Sequence, residues 1–141
     1  NIKFDDPYLL KTIRKVEKID ARIIQLLDDM AQTMRANNGC GLAAVQVGIL
    51  RRVAVIDTGD GLIELINPEI IAEEGAQTAE EGCLSFPGEF HTTRRPAVVR
   101  VRALNRKDQW CFYKADGLKA RAFCHEIDHM NGLLFRDAKT Q

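Results

Sequence analysis

Two histidines and a glutamate lie together near the end of the sequence, in the segment HEIDH at residues 125–129. On an α-helix, a spacing of four residues places His125 and His129 on one face, one turn apart. Two neutral imidazoles in that position can bind one divalent cation, and the adjacent Glu126 can take the proton of a metal-bound water. Only three histidines occur in the whole sequence, and two belong to this segment. A metal site is therefore a better explanation of this motif than a chance match on an amphipathic helix.

Length and composition are those of a globular chain. Its 141 residues are 45% hydrophobic and 28% charged, which is enough to bury a core without disulfides. The 20 basic residues balance the 20 acidic ones, so we expect no direct binding of nucleic acid or membranes. The start of the chain lacks a signal-peptide pattern. We predict one domain over residues 1–141 in a cytoplasmic, reducing compartment, or in an organelle if a leader preceded Asn1.

The first half of the chain begins with a helical pattern. From about Asp20, apolar residues recur at helical spacing until the segment 37–39 (Asn-Asn-Gly) ends the pattern. The apolar stripe of this predicted core helix consists of Ile23, Leu27, Met30 and Met34. The Gly-rich segment 39–48 follows, and its small residues favour a tight, buried turn. It is not a phosphate-binding loop, because the Gly-Lys-Ser/Thr ending is missing.

Short strands are predicted through the middle of the chain, from alternating apolar residues between turn signals. The predicted strands are 52–56, 62–66, 69–72, 98–104 and 109–114. Asn67-Pro68 is expected to interrupt the second of them, because proline cannot donate a ladder hydrogen bond. The segment 81–88 contains Gly, Ser and Pro, which predicts a loop.

The HEIDH segment lies in a predicted C-terminal helix from Gly117 or Leu118 to about Met130. Asp116 is the expected N-cap, and Asn131-Gly132 ends the helix. The residues expected to form its inward stripe, and so to place the metal against the sheet, are Leu118, Ala122, His125 and His129. The predicted fold class is α+β, with a central metal-binding helix packed against short, mostly antiparallel strands.

A catalytic site of this kind has three protein ligands and one open position, so a third ligand is needed. Phe135 stands where the longer pattern HExxHxxGxxH has its final histidine, and a phenyl ring cannot coordinate a metal. The third ligand is therefore expected upstream, where the candidates are His91, the cysteines and many carboxylates. Cys83 and Cys40 both lie in Gly-rich segments, and a thiolate is a strong ligand for zinc or ferrous iron. Spacing alone leaves both cysteines as candidates.

Three segments together resemble the signature motifs of peptide deformylase. They are GCGLAAVQVG at 39–48, EGCLSFPG at 81–88 and HEIDH at 125–129, in the family's order and spacing. With the predicted fold between them, the resemblance covers nearly the whole chain. Val45 departs from the pattern, because many members have proline there. The chain extends about a dozen residues beyond His129, so we do not expect ribosome docking through the long C-terminal helix of some bacterial members.

The resemblance implies which residues form the site. Cys83, His125 and His129 would hold one divalent metal ion, most often Fe²⁺ in this family, with Zn²⁺ as the alternative. Glu126 corresponds to the family's catalytic glutamate.

The resemblance also implies residues that contact the substrate. The Gln46 side chain and the Leu84 backbone N–H would stabilise the oxyanion, and Gly41 would line the groove for the substrate strand. From their place on the predicted helix, Leu118 and Ala122 are expected to line an apolar pocket for the methionine side chain.

The implied reaction removes the N-formyl group from the starting methionine of newly made polypeptides and releases formate. The expected partners are such formyl-Met nascent peptides, with transient association with the ribosome. Two alternatives remain at this stage. One is another metallopeptidase or amidase with a Cys-His-His site. The other is a non-catalytic module whose structural metal is closed by a fourth ligand such as Cys40, although Glu126 argues against it.

Overall fold

The computed structural model describes residues 13–83 and 86–132, and for residues 79–83 and 86–93 it describes the backbone. In chain order the elements are helix α1 (Ala21–Ala36), strand β1 (Gly41–Ala43), a 3₁₀-helix (Ala44–Val47), β2 (Val53–Ile56), β3 (Ile63–Glu74), β4 (Gln77–Cys83), β5 (Phe86–Arg95), β6 (Val98–Leu104), β7 (Trp110–Asp116) and helix α2 (Gly117–Met130). Among the described strands, five form an antiparallel sheet in the order β1-β2-β3-β6-β7, and β4 and β5 form a separate two-stranded sheet. The predicted α+β class is confirmed.

Helix α1 begins and ends as its sequence predicts. The Asp20 carboxylate accepts hydrogen bonds from the backbone N–H groups of Arg22 and Ile23, which caps the first turn. The residues of its stripe that are fully buried are Leu27, Met30 and Met34. They pack with Leu42, Val53, Val55 and Ile66 on one face of the five-stranded sheet. The predicted core helix is therefore confirmed.

Helix α2 occupies a second apolar cluster. Its buried apolar residues include Ala120, Phe123, Cys124, Ile127 and Met130, which pack with Ala43, Ile56, Leu65 and Val101. The prediction of an inward stripe is wrong for Leu118, which is 53% exposed, whereas Ala122 and His129 are buried. Leu118 lies about 180° around the helix axis from Ile127, so it cannot share the face that Ile127 packs on the sheet.

Two predictions for the strands are corrected by the structure. Asn67-Pro68 does not end a strand, because β3 continues through it with a register shift between Ile66 and Glu69. Asn67 has a φ of 52°, and such a left-handed residue is typical of a β-bulge. The predicted loop 81–88 is largely strand, because pairing of β4 with β5 outweighs its local Gly and Pro signals.

Neither described helix has the length and apolar character needed to cross a lipid bilayer.

Candidate active site

The two histidines of α2 converge as the sequence predicts. Their Nε2 atoms lie 3.0 Å apart, and the ring of His129 is almost fully buried, with 1% exposure. Two nitrogen ligands of one tetrahedral ion, with bonds of roughly 2.0–2.1 Å, would be separated by about 3.3 Å. The imidazole pair of His125 and His129 therefore fits a shared divalent ion.

The direction of this pair follows from helix geometry. His125 and His129 each lie about 160° around the axis from Ile127, so they occupy the side of α2 opposite to that residue. Glu126 and Asp128 lie on opposite flanks of the helix, each about 100° from Ile127. His129 and Ala122 are nevertheless buried and His125 is half-buried, so the predicted inward position of the metal stays a prediction.

Glu126 lies against the backbone of β1. The residue is buried, with 4% exposure. A Cβ added to Gly41 would lie 2.6 Å from Glu126 Oε2 and 3.0 Å from its carboxyl carbon. Those distances are too short for a side chain, so residue 41 must be glycine if this carboxylate is to stay in place. The family resemblance implied a place for Gly41 in the substrate groove but not this contact with Glu126.

Gln46 is held in a defined orientation by the turn that carries it. Its Oε1 atom accepts a hydrogen bond of 2.9 Å from the backbone N–H of Ala43, the residue before the 3₁₀-helix. An amide whose oxygen is engaged in this way presents its NH₂ group as the donor end. Gly48, with a φ of 83°, ends the 3₁₀-helix in the left-handed conformation that favours glycine.

Cys83 ends strand β4 and is paired in register with Phe86, so it lies where the β4–β5 hairpin turns. The Cys83 side chain and the whole of Leu84 fall outside what the structure describes, so their predicted roles stay predictions. Among the side chains that are described, no group of three His, Cys, Asp or Glu residues is arranged to hold a metal. Cys40, the rival ligand, is an exposed free thiol just before β1.

Polar contacts with residues distant in the sequence hold α2 at the site, and none was predicted from the sequence. Arg52 Nη1 donates to the Met130 carbonyl oxygen at 3.0 Å, at the end of the helix. The Gln77 amide donates to the Gly117 carbonyl oxygen at 3.0 Å, at its start. Arg95 forms an ion pair with Asp128 between these points. Each pair is distant in sequence, so no local pattern could have indicated it.

Burial also affects one of these groups electrostatically. Desolvation lowers the pKa of the Arg52 guanidinium, while the charge of Glu69 acts to raise it. An arginine remains charged in proteins at neutral pH despite such a shift. A positive charge is therefore maintained at the C-terminal end of α2, where it is favourable for the helix dipole.

Comparison with known proteins gives one family throughout. Residues 2–141 match the family model described as polypeptide deformylase. A peptide deformylase of Alkaliphilus metalliredigens is 59% identical over 133 residues, which are 94% of this chain and 90% of that protein. Another from Clostridium botulinum is 50% identical over 139 residues, covering 99% of this chain and 95% of that protein. The crystal structure of the Thermotoga maritima peptide deformylase superposes with a TM-score of 0.92 at 40% identity, covering 98% of this chain and 95% of that one.

The contact between Gly41 and Glu126 predicts the effect of one methyl group. In Gly41→Ala the new Cβ would force the carboxylate out of position, and a displacement near 1 Å can reduce turnover by roughly 10²-fold. We expect kcat for hydrolysis to fall by about that factor. Steady-state kinetics on the variant and the parent would measure the change.

Gly39→Ala is the matched control, because a Cβ there would meet its neighbours at an ordinary 3.6 Å. It should keep near-parental kcat. If Gly41→Ala and Gly39→Ala have the same kcat, the close approach of Gly41 does not position Glu126.

Proposed function

Because this chain belongs to the polypeptide deformylase family, a class of metalloenzymes that remove the N-formyl group from nascent polypeptides, we propose that its metal ligands are Cys83, His125 and His129. The observation that carries this proposal is the 3.0 Å convergence of the two imidazole nitrogens. The thiolate would come from the hairpin turn that ends β4. We propose that residues 1–141 form a single catalytic domain.

The donor set is suited to a borderline-soft divalent ion. One thiolate and two imidazoles fit both Fe²⁺ and Zn²⁺, and ligand type alone does not separate them. The family resemblance favours Fe²⁺. When bound, such an ion lowers the pKa of a water molecule and polarises a carbonyl oxygen.

Glu126 is proposed as the group that moves protons. Its carboxylate follows His125 directly in α2 and is kept from bulk solvent by burial against Gly41. A buried carboxylate at this place can accept the proton of the attacking water and then deliver it to the departing amine nitrogen. Glu126 lies about 100° around the helix from each neighbouring residue, so it is not proposed as a third ligand beside both histidines.

The developing oxyanion is proposed to receive hydrogen bonds from Gln46 and Leu84. The hydrogen bond that the Ala43 N–H donates to Gln46 Oε1 supports this role. Because the amide oxygen is engaged there, the amide NH₂ group points away from Ala43 and is oriented as a donor. The Leu84 backbone N–H would be the second donor. Each donor of this kind contributes roughly 10²- to 10³-fold to kcat in other enzymes.

Strand β1 is proposed to receive the peptide. It lies at one edge of the five-stranded sheet among the described strands, and an extended peptide can add to such an edge through backbone hydrogen bonds. Gly41 at the start of β1 would then line the groove beside Glu126. Leu118, half-exposed, and Ala122, buried, remain the proposed walls of the methionine pocket.

The substrate also suggests where the protein acts. Formyl-Met nascent peptides occur where translation starts with formyl-methionine, so we propose the bacterial-type cytoplasm or an organelle of that kind. Transient association with the ribosome would follow from the nascent state of the substrate.

Formate release separates this function from that of a related amidase. Formyl-Met-Ala-Ser should be hydrolysed and acetyl-Met-Ala-Ser should not, because a tight site admits a formyl carbon and excludes a larger acyl group. Equal hydrolysis of both peptides would favour the amidase.

The identity of the metal is tested by comparing the iron and zinc forms. We expect the ferrous protein to have the higher kcat/KM and to lose activity in air, as its metal or thiolate oxidises. Equal activity of an air-stable zinc protein would overturn the assignment of iron.

The role of Glu126 can be separated from metal binding. Glu126→Gln keeps the size and removes the base, so the variant should retain near-stoichiometric metal. Its kcat should fall by at least roughly 10²- to 10⁴-fold, as is typical of a lost general base. Metal analysis and kinetics on the same preparation measure both quantities. Full metal with near-parental kcat would show that Glu126 is not the base.

The two candidate cysteines can be tested against each other. Cys83→Ala should lose the metal at chelator concentrations that the parent tolerates, because one of three ligands is gone. Cys40→Ala, which changes an exposed thiol before β1, is the matched control and should retain it. Equal retention of metal by both variants would refute the assignment of Cys83.

A further inference from the structure

Arg95, which is buried, and Asp128, which is partly buried, form an ion pair between the β4–β5 hairpin and α2. The Arg95 side chain is 4% exposed and the Asp128 side chain 19% exposed. Arg95 is the last residue of β5, and Asp128 directly precedes His129 on the helix. The pair therefore joins the base of the hairpin that carries Cys83 to the turn of helix that carries the second histidine.

The hairpin depends on such contacts for its placement. Within the part of the chain that the structure describes, strands β4 and β5 pair with each other and form a sheet separate from the five-stranded one. Gln77 is the register partner of Arg95, so these two side chains project from the same face of the hairpin. The Gln77 amide donates to the Gly117 carbonyl oxygen at the start of α2 and to that of Pro96. The base of the hairpin thus contacts α2 at two well-separated points.

We infer that Arg95 and Asp128 are positioning residues for the metal site. Resting on the proposed function, this inference holds that the ion pair keeps the Cys83 end of the hairpin in register with His125 and His129. Cys83 comes from a different element than the histidines, so its sulfur can meet them only if hairpin and helix keep a fixed relation. The groups of a functional site must be held within roughly 0.5 Å and 10–20° of the geometry in which they act.

The chemistry of the pair suits this task. A guanidinium presents rigid, planar donors to a carboxylate, which fixes direction as well as distance. A buried ion pair gives little net stability compared with a well-packed apolar pair, but removing one partner leaves an uncompensated buried charge. A test must therefore distinguish loss of positioning from the damage caused by an orphaned charge.

The experiment compares Arg95→Met, Asp128→Asn and the double variant Arg95→Met/Asp128→Leu with the parent. The double variant leaves neither charge buried alone, so it carries the test even if Arg95→Met does not fold. Circular dichroism and urea unfolding establish that each variant is folded. Co²⁺ is then titrated into the metal-free proteins, with its affinity and its thiolate-to-cobalt absorption band as the readouts.

We expect the folded double variant to bind Co²⁺ roughly 10- to 100-fold more weakly, as for other residues that support metal ligands indirectly. The thiolate band per bound cobalt should also decrease, which a loss of general stability would not cause. Asp128→Asn should show the same changes to a smaller extent. Arg94→Met is the matched control, because Arg94 is the adjacent and exposed arginine of β5, and it should behave as the parent.

Parental Co²⁺ affinity and a parental thiolate band in the double variant would overturn the inference and leave the proposed function intact. A different result would count against the proposed function itself. If the parent binds Co²⁺ without a thiolate band, the ligand set with Cys83 is wrong, whatever the variants do.

Discussion

The packing of α2 on the five-stranded sheet is the contact on which the candidate site depends. Phe123 and Ile127 are buried against the sheet, and each such side chain contributes roughly 1.5–3 kcal/mol to the free energy of unfolding. This packing fixes the rotation of α2 about its axis. The rotation in turn places His125 and His129 opposite Ile127, with Glu126 towards β1 and Asp128 towards the hairpin.

Polar contacts add to the apolar packing in fixing the position of α2. Gly41 permits the Glu126 carboxylate to lie directly against the β1 backbone. The contacts of Arg52, Gln77 and Arg95 hold α2 near its end, at its start and beside His129. The contacts of Arg52 and Arg95 are at least partly buried, and removing one partner of such a contact costs more free energy than forming the contact contributes. These contacts therefore specify geometry more than they stabilise the fold.

Local patterns were sufficient for the elements whose signals lie within a few residues. The two described helices, their ends and the spacing of the imidazoles follow from apolar periodicity, from the stop signals at 37–39 and 131–132, and from the four-residue interval in HEIDH. The β3 strand and the hairpin were predicted less well. Asn67-Pro68 and the Gly and Pro residues of 81–88 are turn signals by themselves, and pairing with a distant strand outweighs them.

The sequence by itself determined the spacing of the two histidines on α2 and the family to which the chain belongs, because residue type and short spacing carry both. Only the tertiary structure decided which side of α2 faces the sheet and why residue 41 is glycine. It alone also showed that Arg95 reaches Asp128, 33 residues away. These contacts form only when segments distant in the sequence pack together, so a local sequence pattern cannot predict them.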